Sequence, residues 1–294
     1  LGKLIYLYDS NDISLDGPTS LALSTEDVLK RYEAYGWQTI RVEKGDTDLN
    51  AIDSALNEAK ADQTRPTIIE VKTTIGYGSP NKGGLSASHG SPLGDEEVKL
   101  SKEKLGWEWP EKTFYVPDEV YAKFADTVEG GGKLHSEWIT KFDKWSGENP
   151  GLAKEWELAW SKGLPEGWDN KMPEWEAGES VATRAVSGKV LNAIAGHVPW
   201  LMTGDADLSV STKVSIKDGG SFDGRTGQGR NVHMGVREHV MAAIANGIAY
   251  HGGCRMCTST FFVFSDYMKP SVRLAAMNGL PVIYVWTHDS IYVG

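Results

Sequence analysis

The stretch Pro66-Thr-Ile-Ile-Glu-Val-Lys72 decides the fold. It is a short, largely β-prone run opened by proline and followed within a few residues by glycine, which predicts a strand. Before it, residues 48–61 carry a helical pattern with Leu49, Ile52 and Leu56 on one face. Before that, Gln38-Thr-Ile-Arg-Val-Glu43 predicts a second strand. A hydroxyl cap and early acids in Ser24-Thr-Glu-Asp predict a helix start. Lys3-Leu-Ile-Tyr-Leu-Tyr-Asp9 reads as a continuous buried strand. Strands alternating with helices imply parallel βαβ units.

On the other side of Lys72 lies a loop over 76–94 with six glycines. Open α/β sheets bind ligands beyond the carboxyl ends of their strands, so this loop is well placed for function. From 105 to 178 strand patterns vanish and eight of the eleven tryptophans occur. Residues 120–145 and 152–160 read as helices, and 163–178 as a linker. A second α/β pattern opens at Ser180: helices over 181–195, 235–250 and 264–277, strands over 200–203, 256–260 and 281–286. The fold class is therefore α/β, with two parallel-sheet domains joined by a helical Trp-rich linker. The expected boundaries are 1–145, 146–179 and 180–294.

The 294 residues carry a formal net charge of −10, which argues against a nucleic-acid partner needing a basic face. The longest apolar run, Leu280 to Trp286, is far short of a membrane span. Two cysteines, Cys254 and Cys257, suit a reducing, cytoplasmic compartment. Their Cys-x-x-Cys spacing reads either as a redox pair or as small buried residues. The chain opens at Leu1 and closes at Gly294 close to apolar runs, so it is expected to be the interior of a longer protein.

Nucleotide-binding glycine fingerprints are absent. Asp9-Ser-Asn-Asp-Ile-Ser-Leu-Asp-Gly17 reads either as a polar turn or as oxygen ligands for a hard cation. Met234-Gly-Val-Arg-Glu-His begins a helix that is apolar on both sides: Val236, Val240, Ile244 and Ile248 on one, Met241, Ala242, Ala245 and Ala249 on the other. Such a helix is expected to be buried. Glu238 then sits in its first turn, either stabilised there by the helix dipole and Arg237 or poised to share a proton with a ligand. Phe261, Phe264 and Tyr267 form an aromatic group that reads as core or as a platform for a flat ring.

Taken in order, Ser-Asn-Asp-Ile-Ser-Leu-Asp-Gly, Gly-Tyr-Gly-Ser-Pro-Asn-Lys, Ser-His-Gly-Ser-Pro-Leu-Gly, Ala-Thr-Arg, Ala-Asp-Leu, Gly-Val-Arg-Glu-His, Thr-Phe-Phe-Val-Phe-Ser-Asp-Tyr and Thr-His-Asp-Ser-Ile resemble the transketolase family. The resemblance is strongest over 1–106 and 180–294. It implies a segment lacking the N-terminal part and the C-terminal domain, with both thiamine diphosphate-binding-type domains incomplete. The implied reaction moves a two-carbon ketol unit from a ketose phosphate to an aldose phosphate through a dihydroxyethyl adduct, in the pentose phosphate pathway. The implied cofactors are thiamine diphosphate and Mg2+, with Ca2+ or Mn2+ as substitutes. The resemblance further implies a homodimer with the active site at its interface.

Carried over by position, Asn11 and Ile13 would ligate the metal, the former by its side chain and the latter by its backbone carbonyl. His89 would lie beside the diphosphate and the reacting carbons. Glu238 would bond the aminopyrimidine N1′, and Phe261, Phe264 and Tyr267 would pack around that ring. Asp207 and Leu208 would lie near the thiazolium. Arg184, Ser211 and His288 would receive the sugar phosphate. Two departures are visible: Gly84-Leu85-Ser86 replaces Gly-Thr-His, and Asp205 stands where Ser or Ala is usual. The isolated segment is expected to be inactive. Other readings are a related enzyme, dihydroxyacetone synthase or deoxyxylulose-phosphate synthase, and a non-catalytic module keeping the fold.

Overall fold

The computed structural model describes residues 1–289 and divides into two compact units, Leu1–Thr127 and Val128–Gly294. In the first, β1 (Ile5–Ser10) leads into a two-strand hairpin, β2 (Ile13–Ser14) and β3 (Gly17–Pro18). Then follow α1 (Val28–Ala34), β4 (Gln38–Val42), α2 (Leu49–Ala61), β5 (Thr67–Lys72) and α3 (Asp95–Lys104). The sheet has the order β1-β5-β4, all parallel. Central β5 is buried along its length except Lys72. Ile69 and Val71 meet Val42, Ala55 and Ala59 in the core beneath α2. Asp48 caps α2 by accepting the Ala51 N–H at 2.9 Å, which satisfies one of the free donors at a helix start.

Three expectations change in this unit. The strand expected to be buried at 3–9 is an edge strand: Tyr6, Leu7 and Tyr8 are exposed, because only β5 flanks it among the described residues. The helix expected from Ser24 starts at Val28, where the Asp27 carboxylate, and no hydroxyl, accepts the Lys30 N–H at 3.1 Å. Leu49, expected on the inner face of α2, is exposed. The buried face is the one carrying Ala55 and Ala59, with Ile52 and Leu56 partly covered.

Helix α4 (Asp118–Glu148) crosses from the first unit to the second and contains Gly130, Gly131 and Gly132. Next come α5 (Pro150–Trp160), α6 (Thr183–Ala195), β6 (Leu201–Asp205), the single turn α7 (Ser209–Thr212) and β7 (Asn231–His233). The second unit ends with α8 (Glu238–His251), β8 (Arg255–Phe261), α9 (Ser265–Met277) and β9 (Ile283–Thr287). Its parallel sheet has the order β7-β6-β8-β9.

Side chains alternate across a strand, and the successive residues Met256 and Cys257 of β8 enter different cores. Cys257 joins Ala195, Val198, Trp200 and Leu201 on the α6 side, where Trp168 and Leu158 of the Trp-rich stretch also pack. Met256 joins Met241, Ala245 and Met268 on the α8 and α9 side. Burying each of these methionines contributes about 1.5–3 kcal/mol. Gly188 lets α6 approach the end of α7, since a Cβ there would lie 2.7 Å from the Lys213 carbonyl oxygen.

Helix α8 is not buried all round, as its composition suggested. Met241, Ala242 and Ala245 are fully covered, while Val240 and Ile244 are 46% and 42% exposed. Only one face meets the sheet and α9. The Trp-rich stretch divides similarly. Trp168 acts as a clamp on the core, whereas Trp138, Phe142, Trp145, Trp156 and Trp160 form a chain of aromatic contacts, with Trp138, Trp156 and Trp160 exposed. No helix among the described residues is long and apolar enough to cross a membrane.

Candidate active site

In the first unit the candidate residues follow β1 and β5. Asn11 occupies the turn after β1. Its Oδ1 accepts the Ile13 N–H at 3.0 Å and its Nδ2 donates to Asp9 Oδ1 at 3.4 Å. The side-chain oxygen is therefore held in place two residues from Ile13. The neighbouring acids do not gather around it. Lys72 pairs with Asp12 at 2.6 Å, and Thr73 donates to Asp9. Among the described residues no three His, Cys, Asp or Glu side chains could hold a metal together. What remains is a pair of neutral oxygens, donors of the type Mg2+ or Ca2+ accepts.

The loop that follows β5 is built on Glu97, in the first turn of α3. Its carboxylate accepts Ser79 Oγ, the Asn81 N–H at 2.8 Å and Asn81 Nδ2 at 2.9 Å. Hydrogen bonds from Ser79 and then Asn81 pull its pKa down from 4.5 to about 2. Ser88 Oγ donates to the Lys82 carbonyl at 2.6 Å, closing the loop just before His89. His89 is exposed, and its imidazole forms no hydrogen bond among the described residues. A carboxylate with a lowered folded pKa stabilises the fold fully above its unfolded value and loses that contribution as pH falls toward the folded one. The melting temperature of the complete protein is thus expected to drop between pH 4.5 and about 2 more steeply than that of the Glu97→Gln variant. Parallel slopes in thermal scans across that range would refute the role given to Glu97.

In the second unit the candidate residues collect at the carboxyl ends of the strands. Glu238 is the first residue of α8 and is 8% exposed. Arg237 does not pair with it; that guanidinium donates to the Met234 carbonyl at 2.9 Å. No hydrogen bond or ion pair reaches the Glu238 carboxyl among the described residues.

After β8, Phe261 and Phe264 stack with centroids 6.0 Å apart, and Phe264 and Tyr267 at 6.1 Å. The expected aromatic group is thus assembled. Edge-on to Phe261, at 4.6 Å, lies His288 beyond β9. Arg184, one residue into α6, brings Nη1 within 3.1 Å of His288 Nε2 and donates to the Ser211 carbonyl at 3.1 Å. Three residues distant in sequence therefore converge: a guanidinium, an imidazole and the turn bearing a hydroxyl. A phosphate dianion is well received by such a group.

Asp207 and Leu208 follow β6, with Asp207 in the left-handed region at φ +66°. With Ser211 and His233 they line a hollow of about 180 Å³. Sequence reasoning did not give Asp205, Glu97 or His233 a site role. For Glu97 a signal existed: Gly94 followed by three acids, with lysines a turn or two later, marks a helix start whose first turn borders the glycine loop. The two cysteines are free. Burial pushes the Cys257 thiol up to about 12 and raises Cys254 as well, so neither is a ready thiolate.

Both units thus present their polar groups beyond the ends of parallel strands, where open α/β sheets bind their ligands. Residues 1–165 match the family described as transketolase, thiamine diphosphate binding domain, and residues 179–294 the transketolase, pyrimidine binding domain. The chain belongs to the transketolase family. It is 55% identical over its whole length to a transketolase of Geobacillus stearothermophilus and 50% identical to that of Bacillus subtilis, covering 44% of each. Among solved structures, transketolase from Leishmania mexicana superposes with a TM-score of 0.93 at 39% identity, over 100% of this chain and 43% of that one. A Pichia stipitis transketolase in complex with sedoheptulose-7-phosphate superposes at 0.91 and 39%, over 100% of this chain and 44% of that one. The chain spans less than half the length of these relatives.

Proposed function

We propose that the complete protein transfers a two-carbon ketol unit from a ketose phosphate to an aldose phosphate, as a step of the pentose phosphate pathway. The convergence of Arg184, Ser211 and His288 carries this reading. It sets a guanidinium beside an imidazole and against the turn that carries Ser211, in a chain whose net charge is −10. Thiamine diphosphate, when bound, supplies an electron sink for the pair left when the ketose C2–C3 bond breaks.

The residues present fit that cofactor. Glu238 offers a buried carboxyl, unpartnered among the described residues, able to share a proton with the aminopyrimidine N1′. The stack of Phe261, Phe264 and Tyr267 suits a flat heteroaromatic ring. Asp207 and Leu208 would border the thiazolium. Asn11 and Ile13 would give two oxygens to Mg2+, or to Ca2+ or Mn2+, with diphosphate oxygens among the remaining ligands. His89, whose imidazole is unpartnered among the described residues, would exchange protons with the sugar hydroxyls.

The reading includes a homodimer, supported by the exposed apolar stripe Val236, Val240 and Ile244 beside Glu238. It also includes a cytoplasmic location, consistent with the two free cysteines. Incubating the complete protein with a ketose phosphate and an aldose phosphate is expected to give chain lengths changed by two carbons. Activity should require both thiamine diphosphate and a divalent cation. Absence of two-carbon exchange when both are supplied would reject the reading.

A further inference from the structure

We infer that Asp205 is a positioning residue that fixes the turn bearing Asp207, Leu208 and Ser211, and so sets preference for phosphorylated sugars. The inference rests on the proposed reading of Ser211 as a phosphate contact. Asp205 closes β6 and is 6% exposed. Its Oδ1 accepts the Leu208 N–H. Its Oδ2 accepts Thr212 Oγ1 at 2.8 Å and also Ser259 Oγ of β8. Thr212 and Ser259 are fully buried and lie 3.0 Å apart, oxygen to oxygen. One carboxylate thus ties together the start of the turn, its end and the neighbouring strand.

The turn needs such an anchor. Helix α7 has four residues, too few to hold together through its own hydrogen bonds. Left-handed residues bracket it, Asp207 at φ +66° and Lys213 at φ +63°, and neither is a glycine that would adopt this conformation freely. Ser211 lies one residue before Thr212, and its carbonyl accepts from Arg184. Movement of Thr212 away from Asp205 therefore shifts Ser211 relative to the guanidinium. Loss of a purely structural anchor would lower activity alike for every substrate; this one is coupled to a single end of the substrate.

The test compares kcat/KM for a phosphorylated ketose donor with that for an unphosphorylated one, in the complete protein with thiamine diphosphate and Mg2+. Asp205→Ala is expected to lower this ratio by about fivefold or more, the scale of one lost hydrogen bond. Asp205→Asn keeps an acceptor for Leu208, and the two hydroxyls can turn to meet its amide, so it should restore the ratio to within about twofold. If the alanine variant does not fold, Thr212→Val removes one bond to Asp205 with little change of shape. It should then lower the ratio by about twofold or more. An unchanged ratio in the folded alanine variant, or in Thr212→Val, overturns the inference, as does an asparagine variant as impaired as alanine. Arg184→Met run in parallel separates the two failures. A ratio lost in Arg184→Met but kept at Asp205 rejects only the positioning role. A ratio kept in both rejects the phosphate receiver itself.

Discussion

Replacing Glu238 by Gln in the complete protein is expected to lower turnover by about 10²–10⁴-fold, the range general acid–base catalysis contributes. The carboxyl is 8% exposed and unpartnered among the described residues. It sits at the first position of α8, above a core of Met241, Ala242 and Ala245 that holds the helix in place. Asn246 and Ser271 tie that helix to α9, with Asn246 Nδ2 donating to the Ser271 carbonyl at 2.8 Å. Gln fills the same volume and can hydrogen-bond N1′, but it has no proton to share at neutral pH. Fold, diphosphate binding and metal binding should therefore survive, as equilibrium titration with thiamine diphosphate would check. Aspartate, shorter by a methylene, should recover only part of the loss. Near-normal turnover of the Gln variant would remove Glu238 from the chemistry.

Arg184→Met is expected to raise KM for a phosphorylated donor by about 10–10²-fold, the usual worth of a hydrogen bond to a charged partner. Turnover at saturation should change little, because the contact is made alike in the ground and transition states. Met matches the aliphatic stem and preserves packing in α6. Lys would restore charge without the planar fork, and so should recover part of the affinity. The prediction includes a neighbour effect. Arg184 lies against the His288 imidazole, and His288 lies edge-on to Phe261. Loss of the guanidinium frees His288, so the effects of Arg184→Met and a His288→Ala change should not add. Steady-state kinetics on the two single variants and the double variant measures this. Additive losses would show that the two residues act separately.

Much of the fold was legible because periodicity reports it directly. The alternation of short β-prone runs with helical segments places β4, α2, β5 and β8 within one residue of their observed bounds, and α6 and β9 within two. Elements too short for a period were not found. β7 has three residues and α7 four, and both depend on tertiary partners. Hydropathy also misjudged cover. It reports that Leu7 and Ile244 are apolar, but not whether anything packs on them, and both are exposed.

The site divides in the same way. Residues carried by one turn, such as Asn11 with Ile13 or Phe261 with Phe264, can be related from sequence spacing. Arg184, Ser211 and His288 can be joined from sequence only through family resemblance, because the start of one helix and the ends of two separate strands bring them together. Asp205 was visible as a departure from the family pattern. Its role was not, since two of its three partners, Thr212 and Ser259, lie 7 and 54 positions away.

The three glycines of α4 have a mechanical consequence. Glycine in a helix interior is less favourable than alanine by about 1 kcal/mol each, and no other group lies within 4 Å of a Cβ built at any of the three. They begin two residues after Val128, where the second compact unit starts. Bending and transient fraying of this long helix should therefore concentrate at Gly130–Gly132. Such motion would spend itself within the helix, where no side chain among the described residues packs on the three glycines.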